Sequence, residues 1–83
     1  MLDYDALHCL SEVLRYGSFD KGAQALHLTQ SAVSQKIKRL ELNLGSPVLV
    51  RTKPLKPTPL GQQLLAHIQR VNVLEDELSV RTG

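Results

Sequence analysis

Apolar residues recur along this chain at three- and four-residue intervals, interrupted at a few defined points by glycine, proline and small polar residues. Ala6, Leu7, Leu10, Val13 and Leu14 share one helical face, with Asp3 ahead of them as an N-cap and Gly17 behind them as a stop. A first helix is predicted over about 4–16. Ser18 is placed to cap a second, short helix over about 19–26, with Asp20 near the positive end of its dipole. Phe19, Ala23 and Leu26 would face inward, and the small residues Gly22, Ala23 and Ala25 would let a neighbouring helix come close. Gly22 costs about 1 kcal/mol of helix propensity relative to alanine. After His27 and Leu28, Thr29 is the cap of a third helix, about 30–44, that ends at Gly45.

The third helix divides cleanly. At about 100° per residue Val33, Ile37, Leu40 and Leu44 fall in a narrow arc, while Ser31, Ser34, Gln35 and Lys38 cluster opposite. One face packs and the other is free. Leu42 falls on the polar side, where only a later segment packing over it would account for it. Beyond Gly45 the period changes: Ser46-Pro47 marks a turn, Val48-Leu49-Val50 a short strand followed by Arg51-Thr52. Lys53-Pro54-Leu55-Lys56-Pro57 is too rich in proline for a central strand and suits the tip of a hairpin. Thr58-Pro59 then reads as an N-cap with proline in the first helical position. The final helix carries Leu60, Leu64, Ile68, Val71, Leu74 and Leu78 at spacings of three and four, a coiled-coil-like seam.

These elements predict a mainly α fold, a winged helix-turn-helix with a three-helix core and a small β-hairpin wing, over residues 1–58, followed by a long linker or dimerisation helix over 59–83. Eighty-three residues hold one small domain. The lone Cys9 forms no internal disulfide, and His8, His27 and His67 are dispersed without acidic partners at ligand spacing, so neither a metal site nor another cofactor is expected. No apolar run reaches the ~20 residues of a membrane span, and the Met-Leu-Asp start lacks the pattern of a signal peptide. A cytoplasmic protein is the expectation.

A net charge of +2 says little until its distribution is considered. Residues 1–20 carry Arg15 against Asp3, Asp5, Glu12 and Asp20, whereas residues 21–56 carry Lys21, Lys36, Lys38, Arg39, Arg51, Lys53 and Lys56 against Glu41 alone. The middle segment is a cationic stretch suited to a phosphate backbone. Any one of these cations alone is an ordinary solvated residue, and the wing cations also keep an edge strand from aggregating. Seven within one segment, flanking a helix-turn-helix, point to duplex DNA.

The physical fit is specific. Two short helices joined by a three-residue turn present the second helix to a major groove about 12 Å wide. Gln30 and Gln35 match adenine N6 and N7 bidentately, and Ser31 and Ser34 donate or accept at base edges. Ser18, Thr29, Lys36, Lys38, Arg39, Arg51, Lys53 and Lys56 are the candidate contacts to the backbone or from the wing. Phe19 is better spent in the core than as a stacking platform for single strands. No nucleophile or acid–base pair is placed by any motif, so no enzyme is expected.

The run Ser18-Phe19, then Ala25-Leu26-His27-Leu28-Thr29-Gln30-Ser31-Ala32-Val33-Ser34-Gln35-Lys36-Ile37-Lys38-Arg39-Leu40-Glu41, then Leu44-Gly45 resembles the LysR-type bacterial transcriptional regulators over about residues 4–80. The resemblance implies a winged helix-turn-helix with a linker helix, dimers on interrupted inverted repeats in promoters, base contacts at Gln30, Ser31, Ser34 and Gln35, and backbone contacts at or beside Thr29, Lys38, Arg39, Arg51 and Lys53. Departures are Gly22-Ala23 in helix two, Ser31 where proline is common, and Val48-Leu49-Val50-Arg51 for a more usual Leu-Phe-x-Arg. Arg51-Thr52 and Pro57-Thr58 around a proline-containing tip resemble the ArgP-type branch, which implies a response to arginine and lysine and regulation of basic amino-acid export. Family members carry an effector-binding domain for which this chain has no counterpart, so DNA binding without ligand sensing is expected.

A homodimer through the final helix, with Leu64, Ile68, Val71, Leu74 and Leu78 pairing with a second copy, is the expected assembly. The stripe folding back on helix one within a monomer is disfavoured, because roughly 20 residues at 1.5 Å each span about 30 Å, longer than helix one covers. The alternative reading is a protein-interaction module in which this helix pairs with a partner, as Glu75, Asp76 and Glu77 suit, and the basic segment only keeps the surface soluble, without specific DNA binding. A DNA affinity that falls steeply with salt separates the two readings.

Overall fold

A computed structural model of the protein describes the backbone of residues 3–82 and the side chains of residues 3–70. Helix α1 is Tyr4–Tyr16. The Asp3 carboxylate starts it by accepting from the Asp5 and Ala6 amides at 3.0 and 3.2 Å, and Gly17, left-handed at φ 74°, ends it. These contacts satisfy N–H groups that a helix start leaves unpaired. Helix α2, Phe19–Leu26, begins with the Ser18 hydroxyl accepting from the Lys21 amide at 3.0 Å. It ends at His27, left-handed at φ 58°, a position where a side chain costs about 1 kcal/mol or more. Helix α3, Gln30–Leu44, starts on the Thr29 hydroxyl, which accepts from Ala32 at 3.0 Å, and stops at Gly45.

A two-stranded antiparallel hairpin follows, β1 at Leu49–Val50 and β2 at Lys56–Pro57, with Leu49 opposite Pro57 and Val50 opposite Lys56. The first strand starts one residue later than the β-branched run predicts. The returning strand lies on Lys56–Pro57, which the prolines assign to the tip. Pro57 is tolerated because the pairing is only two residues long and lies at an edge. Helix α4, Pro59–Thr82, runs from the hairpin to the end of the described backbone.

Three helices and the base of the hairpin meet in one core. Leu7, Leu10 and Val13 of α1, Ala23 of α2, Val33, Ile37 and Leu40 of α3, and Val48 and Leu49 enclose it, with Phe19, Leu26 and Leu44 at its margin. Cys9 belongs to this core at 3 % exposure; burial pushes its thiol pKa up and keeps it neutral. Leu42 is 73 % exposed, and nothing among the described residues covers it, contrary to the packing its place on the polar side would require.

Helix α4 corrects an expectation. Leu64 and Ile68, expected to pair with a second copy, are buried at 7 % and 5 % in the core of their own chain, where the first turns of α4 meet α1. The core of so small a domain is incomplete without them, and the first half of the seam is used internally. Val71, Leu74 and Leu78 lie outside the residues whose side chains are described. The start of α4 is anchored by Thr58, whose hydroxyl accepts from the Gly61 amide at 3.1 Å and donates to the Pro47 carbonyl at 2.8 Å. Gly61 lets this happen, since a Cβ there would collide with the Val48 carbonyl oxygen. Among the described residues no helix is long and apolar enough to cross a membrane.

Helices α1 and α2 cross closely at Gly22. A Cβ added at Gly22 would stand 2.7 Å from Val13 Cγ1 and 2.8 Å from Val13 Cα, so backbone rather than a flexible tip blocks it. Gly22→Ala, which gains about 1 kcal/mol of helix propensity, should nonetheless destabilise the fold by roughly 1 to 3 kcal/mol through forced separation of the two helices. Urea unfolding measures this, and a midpoint equal to or above wild type would show that the crossing relaxes without cost.

Candidate nucleic-acid interface

The sequence-predicted base readers occupy the first half of α3. Gln30, Ser31 and Gln35 are exposed and Ser34 is half-buried, while Val33 and Ile37 between them are fully buried at 0 %. The apolar stripe therefore fixes the rotation of the helix about its axis and with it the direction of the polar face. The Gln35 side-chain amide donates to the Ser31 hydroxyl one turn back at 3.3 Å. That bond leaves the Gln35 carbonyl oxygen and a second amide hydrogen available, the pair that a bidentate contact to adenine uses.

The candidate backbone contacts divide into three settings. Thr29, Lys38 and Arg39 are exposed on or beside α3. Ser18 is half-buried, with its hydroxyl oxygen accepting from the Lys21 amide and its hydrogen still able to donate to a phosphate oxygen. Lys36 is half-buried on α3, one residue before the fully buried Ile37, and so lies toward the packed side rather than on the polar face. Arg51, Lys53 and Lys56 are exposed on the hairpin.

The hairpin is held at both ends. At its far end the Leu55 amide donates to the Gly17 carbonyl at 3.0 Å, and Pro54 lies so close that a Cβ on Gly17 would be 2.7 Å from the Pro54 Cβ. The Thr52 hydroxyl donates to the Pro54 carbonyl at 2.8 Å and closes the tip. At its near end the Val48 amide donates to the Glu41 carboxylate at 2.8 Å, and the Thr58 amide to the Val48 carbonyl at 3.2 Å. In the sequence Glu41 stood as the lone acid of the cationic segment and as the end of the family-like run, with no structural partner indicated. Its carboxylate ties α3 to the start of the wing. Among the described residues the one ion pair is Glu12 with Arg15, well away from this region in sequence, and no three His, Cys, Asp or Glu side chains come together.

Comparison with known proteins places this arrangement. The model of the family described as bacterial regulatory helix-turn-helix protein, lysR family, matches residues 4–62. The HTH-type transcriptional regulator ArgP of Aeromonas salmonicida is 51 % identical over 78 residues, which are 94 % of this chain and 26 % of that protein. The chain thus spans about a quarter of the length of such relatives. The crystal structure of ArgP from Mycobacterium tuberculosis superposes with a TM-score of 0.93 at 41 % identity, over 99 % of this chain and 31 % of that one. The DNA-binding domain of BenM, in complex with catB site 1 DNA, superposes with a TM-score of 0.85 at 28 % identity, over 98 % of this chain and 92 % of that one.

Lys53 and Lys56, exposed near the tip and at β2, are predicted to meet phosphate with little regard to sequence. Replacing both by alanine should lower the slope of log K against log salt by up to about 1.8, from ~0.9 for each phosphate neutralised. Titration of duplex DNA at several salt concentrations reads this, and an unchanged slope would remove the wing from the interface.

Proposed function

The chain belongs to the lysR family of bacterial regulatory helix-turn-helix proteins, and from that membership we propose that it binds duplex DNA sequence-specifically as the reading module of a transcription regulator. The observation that carries the proposal is the division of α3: a stripe at 0–3 % exposure on one side and Gln30, Ser31, Gln35 and Lys38 exposed on the other. A helix so divided, capped at Thr29 and preceded by α2 and a short turn, suits insertion into a major groove. Gln30, Ser31, Ser34 and Gln35 then read base edges. Ser18, Thr29, Lys38, Arg39, Arg51, Lys53 and Lys56 hold the phosphates, and Lys36 does so only from the flank.

Residues 1–58 form the reading domain in this proposal and residues 59–83 the linker helix. Two copies joined through α4 would present two recognition helices to the halves of an interrupted inverted repeat, each binding event raising the effective concentration of the next. Because Leu64 and Ile68 are internal, the pairing falls to the later part of the seam, at Val71, Leu74 and Leu78. The likeness to ArgP supports target genes of basic amino-acid transport or metabolism, and the setting is the bacterial cytoplasm. The relatives are named as transcriptional regulators, and no catalytic role is assigned.

Gln35→Ala should weaken binding to the preferred site by roughly 1 to 3 kcal/mol, the worth of a bidentate base contact, and relax the preference at one base pair. Selection from a randomised duplex pool, with a titration of random DNA beside it, measures both effects. Equal losses on preferred and random duplex would reduce Gln35 to a backbone contact.

Sedimentation equilibrium over micromolar concentrations is expected to give the mass of two copies. Leu74→Asp is the informative variant, because Ile68→Asp would place a charge in the core and confound dissociation with unfolding. A wild-type chain monomeric at every concentration would overturn the dimer.

A further inference from the structure

Arg51 follows β1 at the root of the wing, and its guanidinium carbon lies 5.0 Å from the centroid of the Phe19 ring, within the range of a cation–π contact. The two residues are far apart in sequence: Phe19 is the first residue of α2, Arg51 the residue after β1. What brings them together is the docking of the hairpin, with Leu55 bonded to Gly17 and Pro54 against it. The ring is itself held, being half-buried against the core directly after the Ser18 cap. Among the described residues no carboxylate pairs with Arg51. Its charge is exposed, its orientation is restrained, and its donors are free.

We propose that Phe19 is a positioning residue for DNA binding, its ring face holding the Arg51 guanidinium so that the in-plane N–H groups stand ready for a phosphate oxygen pair. The proposal rests on the DNA-binding function argued above. A guanidinium stacked on a ring keeps its donors, since they lie in the plane and the ring covers only a face. A free arginine must give up rotamer freedom to make a bidentate phosphate contact, and a side chain already stacked gives up less. Phe19 thus adds affinity without touching DNA. Because the contact it prepares is to the backbone, its effect is the same on preferred and random duplex. Lysine at position 51 would not substitute, as an ammonium lacks both the planar stacking face and the fork of donors.

The test is a double-mutant cycle on duplex affinity in this chain at fixed salt, with thermal melting run on each variant. Phe19→Leu should weaken binding about two- to fivefold, the equivalent of an exposed cation–π contact, on preferred and random DNA alike. Phe19→Tyr should restore wild-type affinity, and in an Arg51→Ala background Phe19→Leu should add no further loss. A second reading needs no DNA: the Arg51 Nε–H and Cδ–H proton resonances should lie upfield through the ring current in wild type and Phe19→Tyr, and return to ordinary positions in Phe19→Leu. Equal losses from Phe19→Leu with and without Arg51, or Arg51 resonances unmoved by the substitution, would overturn the positioning role while leaving DNA binding intact. Absence of salt-dependent binding by wild type would overturn the function itself and this inference with it. Should Phe19→Leu fail to fold, the Phe19→Tyr and Arg51→Lys variants decide: Arg51→Lys is expected to lose two- to fivefold or more, and wild-type affinity there would refute the stack.

Discussion

The burial of one stripe of α3, Val33, Ile37 and Leu40, against α1 is the interaction on which the remainder depends. A 15-residue helix whose other face is Ser, Gln and Lys is marginal on its own in water. Its stability comes from tertiary contact along that stripe, and the same contact sets its rotation. Stability and the aim of the polar face are therefore one property, and a change that loosens the core would misdirect the readers before it unfolded them. The two fully buried positions, Val33 and Ile37, interleave with Ser34 and Gln35, so little slack separates the packed side from the exposed one.

The wing is governed by a different physics. It has two paired residues per strand and contributes little apolar area of its own beyond Leu49 and the partly buried Leu55. Short hairpins of this size do not persist alone. Here polar bonds to the surrounding frame do the holding: Glu41 to Val48 at the base, Thr58 to Pro47 behind it, Leu55 to Gly17 at the far end. The frame that positions α3 is thereby the frame that positions the cations of the hairpin.

The helices were legible because their ends carry chemistry. Asp3, Ser18 and Thr29 each accept from first-turn amides, and Gly17 and Gly45 occupy left-handed stops, so α1, α2 and α3 lie on the ranges their caps and periods indicate. The end of α2 has no such mark, since the left-handed residue is His27, and only the onset of the next cap located it. Contacts between distant segments were less legible. That β2 lies on Lys56–Pro57, that Glu41 binds Val48 and that the Arg51 guanidinium lies over the Phe19 ring all depend on how the hairpin folds back, which no local period encodes. The α4 seam illustrates the same limit: a stripe of leucines at helical spacing looks alike whether its partner is another copy or its own α1, and Leu64 and Ile68 take the latter. On the candidate site, the exposed Gln30, Ser31 and Gln35 followed from helix geometry, whereas the half-burial of Lys36, one residue before the buried Ile37, depends on how the helix packs.

Cys9 gives the domain an internal clock. It is the only thiol in the chain, sits at 3 % exposure, and is kept neutral by its surroundings. An alkylating reagent needs both access and the thiolate; burial denies the first and disfavours the second until the core around Cys9 opens. The rate of modification of unaltered protein thus counts openings of the shared core in which the buried stripe of the recognition helix also lies. Compared between free chain and complex, that single chemical rate reads how far a bound partner clamps the core shut, with no probe added to the surface where the partner sits.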